Sequence, residues 1–343
     1  MPDTNQRITI LGAGVYGLWQ AFELSRRGHQ VALIDIANDP IQTSSSSYAG
    51  AMLAPFCEAE AAPEVVRQLG VEAISLWQDA YPGVVQAGTL VLAPPRDRNE
   101  LERFATMTSG HEACDATRIG ELEPALSGRF ASGLFFAKEA HMPAPDSLQF
   151  LLERCKKAGA TIQFGNNSTD AIAAIPPDSI VVDCRGMGAL KDIPGLRGVR
   201  GERVILTTDE ISLTRAVRLL HPRHPIYVVP WGNNRFMVGA TVIESEAGGK
   251  VSVRSMLELL GAAFALHPAF AEAEITDLGA GVRPAYDDNV PRVQVNDAEN
   301  RFEVNGAYRH GFLLAPVLAS CVADYIAGSR EPHPLVRSKG AER

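Results

Sequence analysis

The chain predicts an α/β + β fold: a Rossmann-type nucleotide-binding domain with an antiparallel-sheet domain interleaved through it. Three observations lead there. A strand, glycine turn, helix and second strand occupy Ile8 to Asp35. Further α/β-type pieces return at Ser179–Gly186 and at the C-terminus, and the stretches between them read as strands without intervening helices. At 343 residues the chain is too long for one small core, so a discontinuous arrangement is expected. It assigns 1–86, 143–198 and 276–343 to the nucleotide-binding domain, and 87–142 and 199–275 to a substrate domain.

The opening unit justifies itself residue by residue. Ile8-Thr9-Ile10-Leu11 is an apolar strand running into Gly12-Ala13-Gly14-Val15-Tyr16-Gly17. Gly12 allows the tight turn, Gly14 lets backbone approach a pyrophosphate, and Gly17 permits close helix-on-strand packing. The following helix offers unpaired N–H groups around Val15 and Tyr16 to phosphate. Leu18, Trp19, Phe22 and Leu24 face a core, Glu23, Arg26 and Arg27 face outward, and Gly28 stands where a C-terminal cap belongs. The second strand, Val31–Asp35, ends on an acid 18 residues after Gly17, placed to accept hydrogen bonds from ribose hydroxyls with Ile36 beside it.

A polar loop, Asn38 to Ser47, follows with four consecutive serines, then the small-residue segment Tyr48 to Pro55. Two readings stand open here: a flexible linker, or a loop laying Ser45, Ser46, Gly50, Ala51 and Met52 against a flat ring and a pyrophosphate. Val65 to Tyr81 has helical spacing and ends at Pro82-Gly83. Gly88–Ala93 reads as a strand, Asn99–Thr108 as an exposed helix and Gly133–Ala137 as a short strand. A helix is expected from Asp146, as N-cap, to Ala158, leading to a strand at Thr161–Phe164. Val199–Thr208, Ile226–Pro230 and Phe236–Thr241 are strands, with hairpin chemistry at Gly232-Asn233-Asn234. Val253–Leu266 is an amphipathic helix stopped by Pro268. Glycine-rich turns are expected at Gly279-Ala280-Gly281 and Gly306, and a last helix starts near Ala315-Pro316 and closes at Gly328.

Composition narrows the function. A hydrophobic content of 46% fits a buried globular enzyme, and the apolar stretches are too short and interrupted to span a bilayer. Met1 to Arg7 is polar and lacks an export signal, so a cytoplasmic location is expected. Five scattered cysteines without a C-x-x-C pair read as reduced thiols, and the dispersed histidines give no metal site. A net charge of −8 without a basic block argues against nucleic acid.

In order along the chain, the Gly12 to Gly17 motif, the Ser44 to Pro55 loop, Gly201-Glu202, Ile226-Tyr227-Val228-Val229-Pro230, Gly281-Val282-Arg283-Pro284 and Tyr308-Arg309-His310-Gly311-Phe312-Leu313-Leu314-Ala315-Pro316 carry a further signal. Together they resemble the D-amino-acid-oxidase superfamily of flavoenzymes, with a glutathione-reductase-like FAD-binding fold, and above all its glycine oxidases of thiamine biosynthesis. The resemblance covers nearly the whole chain. It implies FAD as cofactor, with Ser168, Cys184, Gly186, His310, Gly311, Phe312, Leu313 and Leu314 adding to the contacts named above.

It further implies that Arg283 grips the substrate carboxylate, which suits a planar guanidinium's paired hydrogen bonds. Read as a lone residue, Arg283 would equally make a salt bridge to Asp287 or Asp288. Tyr227 would line the amino-acid pocket; its plain alternative is an interstrand aromatic. Arg309 would run beside flavin and substrate, or else serve as a capping or ion-pair arginine. The last helix's N-terminus would face the pyrimidine edge of the flavin. Three departures bear on selectivity. Gly50-Ala51-Met52 replaces a glycine directly before methionine, Pro225 holds the place of a histidine that some relatives carry, and Val242 stands for a methionine.

The resemblance implies oxidation of a small amino acid or amine, glycine first, with O2 as electron acceptor, and leaves a homo-oligomer open. Alternatives are a sarcosine, D-amino-acid or proline oxidase, a dehydrogenase using another acceptor, a flavoprotein acting on a modified tRNA base, a non-catalytic nucleotide-binding protein, or an NAD-dependent dehydrogenase.

Overall fold

The computed structural model describes residues 5–165, 170 and 175–338. Its first sheet contains β1 (Arg7–Leu11), β2 (Gln30–Asp35), β8 (Thr161–Phe164), β9 (Ile180–Asp183), β16 (Arg292–Asn296), β17 (Arg301–Asn305) and β18 (Val336–Ser338). Their spatial order is β18-β16-β17-β9-β1-β2-β8. All neighbours run parallel except β16 and β17. β1 sits inside this sheet, and Ile8 to Leu11 are buried, the near-continuous apolar run required of a parallel strand covered on both faces.

Helices supply the cover. α1 (Val15–Arg26) packs on α7 (Ala144–Lys157) and on α9 (Gly311–Ile326), which in turn packs on α4 (Glu64–Ala80). Trp77 of α4 joins them: its ring meets Trp19 edge-on at 5.0 Å between centroids and stacks on Phe312 at 5.8 Å. The short α2 (Pro40–Thr43) and α3 (Pro55–Glu58) flank the serine loop. α3 adjoins β3 (Met52–Leu53), which pairs with β7 (Ala140–His141).

The second sheet joins β4 (Thr89–Leu92), β5 (Glu112–Asp115), β6 (Ser132–Phe136), β10 (Arg197–Thr207), β11 (Ala216–Leu219), β12 (Ile226–Pro230), β13 (Arg235–Gly239), β14 (Ile243–Glu244) and β15 (Glu274–Ala285). Pairing is antiparallel throughout apart from β4 and β11. The β12–β13 hairpin turns through Gly232, Asn233 and Asn234, all at positive φ, as glycine and asparagine permit. α5 (Arg98–Met107) and α6 (Ala116–Leu122) lie by β6 and β5, and α8 (Val253–Leu266) packs on β10, β12 and β13.

Three expectations are corrected. Gly279-Ala280-Gly281 is no turn but the middle of β15. Its glycines are there because the Tyr48 ring lies on the strand, and a Cβ on Gly279 would fall 2.2 Å from that ring. Asp146 is not the cap of α7, which starts at Ala144 with Pro143 capping; the carboxylate instead sits in the first turn, where the helix dipole favours it. α9 begins at Gly311, so Pro316 lies inside it. A proline there deprives the carbonyl four residues back of its N–H partner. That carbonyl belongs to Phe312, and it accepts instead from Trp77 Nε1 at 2.7 Å.

Candidate active site

The nucleotide end is built from the turn between β1 and α1. Gly12 has φ +93°, and a Cβ on it would meet the Cys184 carbonyl oxygen at 2.7 Å. Gly17 lies behind the turn, where a Cβ would fall 1.8 Å from the Gly12 carbonyl oxygen. Asp35 closes β2, its carboxylate accepting from Ala13 N at 2.7 Å and from Ala37 N at 2.8 Å. Both oxygens are thereby held in place, and each keeps a lone pair for a further donor. Ile36 is 63% exposed at the same lip.

The serine loop folds over this turn instead of hanging free. Ser46 Oγ accepts from Val15 N at 3.0 Å, and Ser45 Oγ donates to the Val282 carbonyl at 2.8 Å. Ala51 holds φ +48°, so the alanine that stands before Met52 occupies the left-handed region glycine favours. The departure in that loop therefore costs strain rather than a turn.

A cavity of about 410 Å³ runs from Asp35 past Gly14 and Ser46 to Tyr227, Arg283 and Arg309. It draws together nearly all the residues singled out by sequence. Gly17, His310 and Leu314 stand behind its wall, and Ser168 falls outside the described residues. Cys184 lines it as a protonated thiol, because burial pushes its pKa well up. Tyr16 is buried, and its hydroxyl has no hydrogen-bond partner among the described residues. Two helix N-termini open onto this space, α1 at one end and α9 at the other through Gly311, Phe312 and Leu313. First-turn N–H groups have no acceptor within their own helix, so both ends favour negative charge.

At the far end, side chains are seated on glycines. Gly50 makes room for Tyr227, since a Cβ would fall 2.6 Å from its ring, and Gly201 does the same for Arg283, at 2.1 Å from its guanidinium. Arg283 Nη1 donates to the Thr241 carbonyl at 3.2 Å. No carboxylate among the described residues lies within ion-pair distance of it. Asp288 pairs with Arg292 at 2.7 Å and Asp287 approaches Arg197 at 4.0 Å, so the surface salt-bridge alternative is not realised. Burial lowers the basicity of Arg283, and neighbouring Tyr227 partly offsets this.

Arg309 lines the cavity and is also ion-paired, Nη2 to Glu58 Oε1 at 3.0 Å. Burial opposes ionisation of Glu58, but Arg309, His310 and Arg218 outweigh it and hold its pKa below the usual value. His310 Nδ1 is 3.6 Å from the other Glu58 oxygen; burial drives the ring's pKa down to about 4, so it is neutral near pH 7. Arg218 reaches the same cavity from β11 and pairs with Glu60 at 2.6 Å.

Glu58, Arg218, Tyr48 and the seat at Gly201 are not singled out as site residues by the sequence reading. Arg218 leaves a trace, a lone charge in the apolar run Ala216-Val217-Arg218-Leu219-Leu220. Glu58 leaves none, because its meaning comes from Arg309, far along the chain. Among the described residues no cluster of His, Cys, Asp or Glu could hold a metal ion, and no helix is long and apolar enough to cross a membrane.

The arrangement suits a dinucleotide joined to a flat ring. One acid stands at the end of β2, a glycine turn and helix N-terminus follow, then small residues, then a second helix N-terminus beside an unpaired guanidinium. Comparison with known proteins agrees. The sequence matches the FAD dependent oxidoreductase family (DAO) over residues 7–325. It is 50% identical over 318 residues to ThiO of Rhizobium etli, an oxidoreductase proposed for thiamine biosynthesis, covering 92% of this chain and 95% of that one. It is 28% identical to the glycine oxidase of Geobacillus kaustophilus over 93% of this chain and 92% of the relative. The solved structure of glycine oxidase from that organism superposes with a TM-score of 0.81 at 24% identity, covering 96% of each chain, and so shares the fold.

Proposed function

Because the chain belongs to the DAO family of FAD-dependent oxidoreductases, we propose that it catalyses the oxidative deamination of glycine, or of a similarly small amine, and supplies the imine for thiamine thiazole synthesis. When bound, FAD would supply the redox chemistry, that of a hydride acceptor that can be reoxidised by O2 with release of hydrogen peroxide. The protein's residues bind, orient and polarise.

Asp35 would hold the adenosine ribose, and Gly12, Gly14, Val15 and Tyr16 the pyrophosphate, with Ile36 beside the adenine. Ser45, Ser46, Gly50, Ala51 and Met52 would lie along the ring system, with Cys184 and Gly186 opposite. Gly311, Phe312 and Leu313 would bring the α9 N-terminus to the ring system, where its unpaired N–H groups would favour negative charge. In this reading residues 1–86, 143–198 and 276–343 chiefly hold the cofactor and residues 87–142 and 199–275 chiefly shape the substrate side, with β15 of the second sheet crossing that boundary and carrying Arg283 to the substrate end.

One observation carries the assignment: Arg283 is a cation inside the cavity whose hydrogen bonds, among the described residues, go to neutral groups, the Thr241 carbonyl and Tyr227. A partly desolvated charge of this kind favours a partner of opposite sign. A substrate carboxylate would meet it with two parallel hydrogen bonds, while the Tyr227 hydroxyl borders the same space. Clamped so, a small zwitterion has its α-carbon fixed, and fixed geometry is the protein's main contribution to rate.

The test is direct. The purified FAD-loaded enzyme is mixed anaerobically with glycine, and its visible flavin absorption is followed. Bleaching, with peroxide released on admitting air, is the expected result. A flavin left oxidised by glycine, sarcosine and small D-amino acids alike would overturn the proposal.

A further inference from the structure

The substrate end of the cavity carries more charge than one zwitterion needs. Arg218, Arg283 and Arg309 all line it, and Glu58 lines it with them. Two of the three guanidinium groups are already spoken for. Arg309 is held by Glu58 at 3.0 Å, and Arg218 by Glu60 at 2.6 Å, with Phe104 5.0 Å beneath its guanidinium. Glu60 is itself anchored from outside by Arg103 at 2.8 Å. Arg283 alone of the three has no carboxylate partner among the described residues, and Gly201 and the Thr241 carbonyl fix where it points.

Arg218, Arg283 and Arg309 with Glu58 and Glu60 sum to one positive charge, while Arg103 lies outside the cavity lining with its side chain half exposed to solvent. A ligand with one carboxylate neutralises it, whereas a second anionic group would enter a poorly solvated space and find its cation occupied. We propose that Glu58 is a specificity-determining residue: by occupying Arg309 it restricts the site to substrates bearing a single anionic group and turns away dicarboxylic amino acids and amines. Glu58 suits this task because the Arg309 and Arg218 guanidinium groups stand close to it and keep it ionised. It sits on the short α3 beside the cavity, so its loss uncovers Arg309 without removing a core side chain.

The inference rests on the reading of Arg283 as the carboxylate anchor, and the test separates the two. Isothermal titration calorimetry of the FAD-loaded enzyme is run with acetate and with malonate, at a mildly alkaline pH where malonate is a dianion. Wild type should prefer acetate by at least about tenfold. Glu58→Gln should raise malonate affinity relative to acetate by about tenfold or more, and adding Arg309→Met should abolish that gain. A merely structural role for Glu58 would weaken both ligands together and leave the ratio alone.

Wild type binding malonate as tightly as acetate would overturn the inference, whether or not the variant folds. So would an unchanged ratio in Glu58→Gln. Acetate binding that persists undiminished in Arg283→Met would instead sink the anchor assignment beneath it.

Discussion

Arg283 and Glu139 show how one side chain's surroundings decide its work. Arg283 keeps a forked donor set uncommitted to any carboxylate among the described residues, so Arg283→Lys, which retains charge but loses the fork, isolates geometry from electrostatics. We expect kcat/KM for glycine to fall by about 10- to 100-fold, mostly through KM, with FAD still bound. Unaltered steady-state kinetics would remove Arg283 from the site. Glu139 is fully buried, and its Oε1 accepts from Cys57 N at 2.7 Å. Burial raises its pKa from 4.5 to about 7. A raised folded-state pKa means that its contribution is fully present below about 4.5 and is lost as pH climbs through about 7, an effect on the order of 3 kcal/mol. Glu139→Gln keeps the acceptor and cannot ionise. Its Tm relative to wild type should therefore rise between about pH 5 and about pH 8; a pH-independent difference would contradict this.

The site is only as well placed as the strands and helices carrying it. β15 stays paired with β10 through Gly279 and Gly281, where the Tyr48 ring lies on it, and it delivers Arg283 over Gly201 on β10. In sequence those glycines read as a turn, because a missing side chain looks the same whether the chain bends or something rests on it. The β1–α1–β2 unit was legible for the opposite reason: its turn, cap and terminal acid are local and each has a single mechanical purpose. α9 falls between. It begins four residues before Ala315-Pro316, where the proline reads as a start, and Trp77, remote in sequence, satisfies the carbonyl that the proline strands. Trp77→Phe should thus cost about 1–3 kcal/mol beyond any packing loss, read from urea denaturation. An unchanged midpoint would show that the indole bond is dispensable.

For the molecule as a whole, the cavity runs between two sheets and is bordered by two helix N-termini, so the bound cofactor should hold the halves together. Removing FAD should lower Tm, and adding it back should raise Tm with ligand concentration, by about 2.7 kcal/mol of stability at a hundredfold excess over Kd. Riboflavin, lacking the adenosine half that Asp35 and the glycine turn would receive, should not reproduce the shift. Equal stabilisation by both would mean that the β1–α1–β2 turn is not the anchor. At this scale the two-layer plan and the cofactor class were legible, because motif order along the chain survives interleaving. The ion pairs of Glu58 and Arg218 were not, because partners on separate elements leave no periodicity to read.

The first sheet also sets a schedule for synthesis. β1 lies between β2, which follows it at once, and β9, whose Ile180 must come to rest beside Ile8; β17 then has to reach β9 from beyond residue 300. At roughly 5–20 residues per second the nascent strand waits on the order of 10–35 s on the ribosome with one edge bare. A chain laid out this way gains its central strand pairing late, and its yield in the cell should depend on whatever shields that edge until the remainder has emerged.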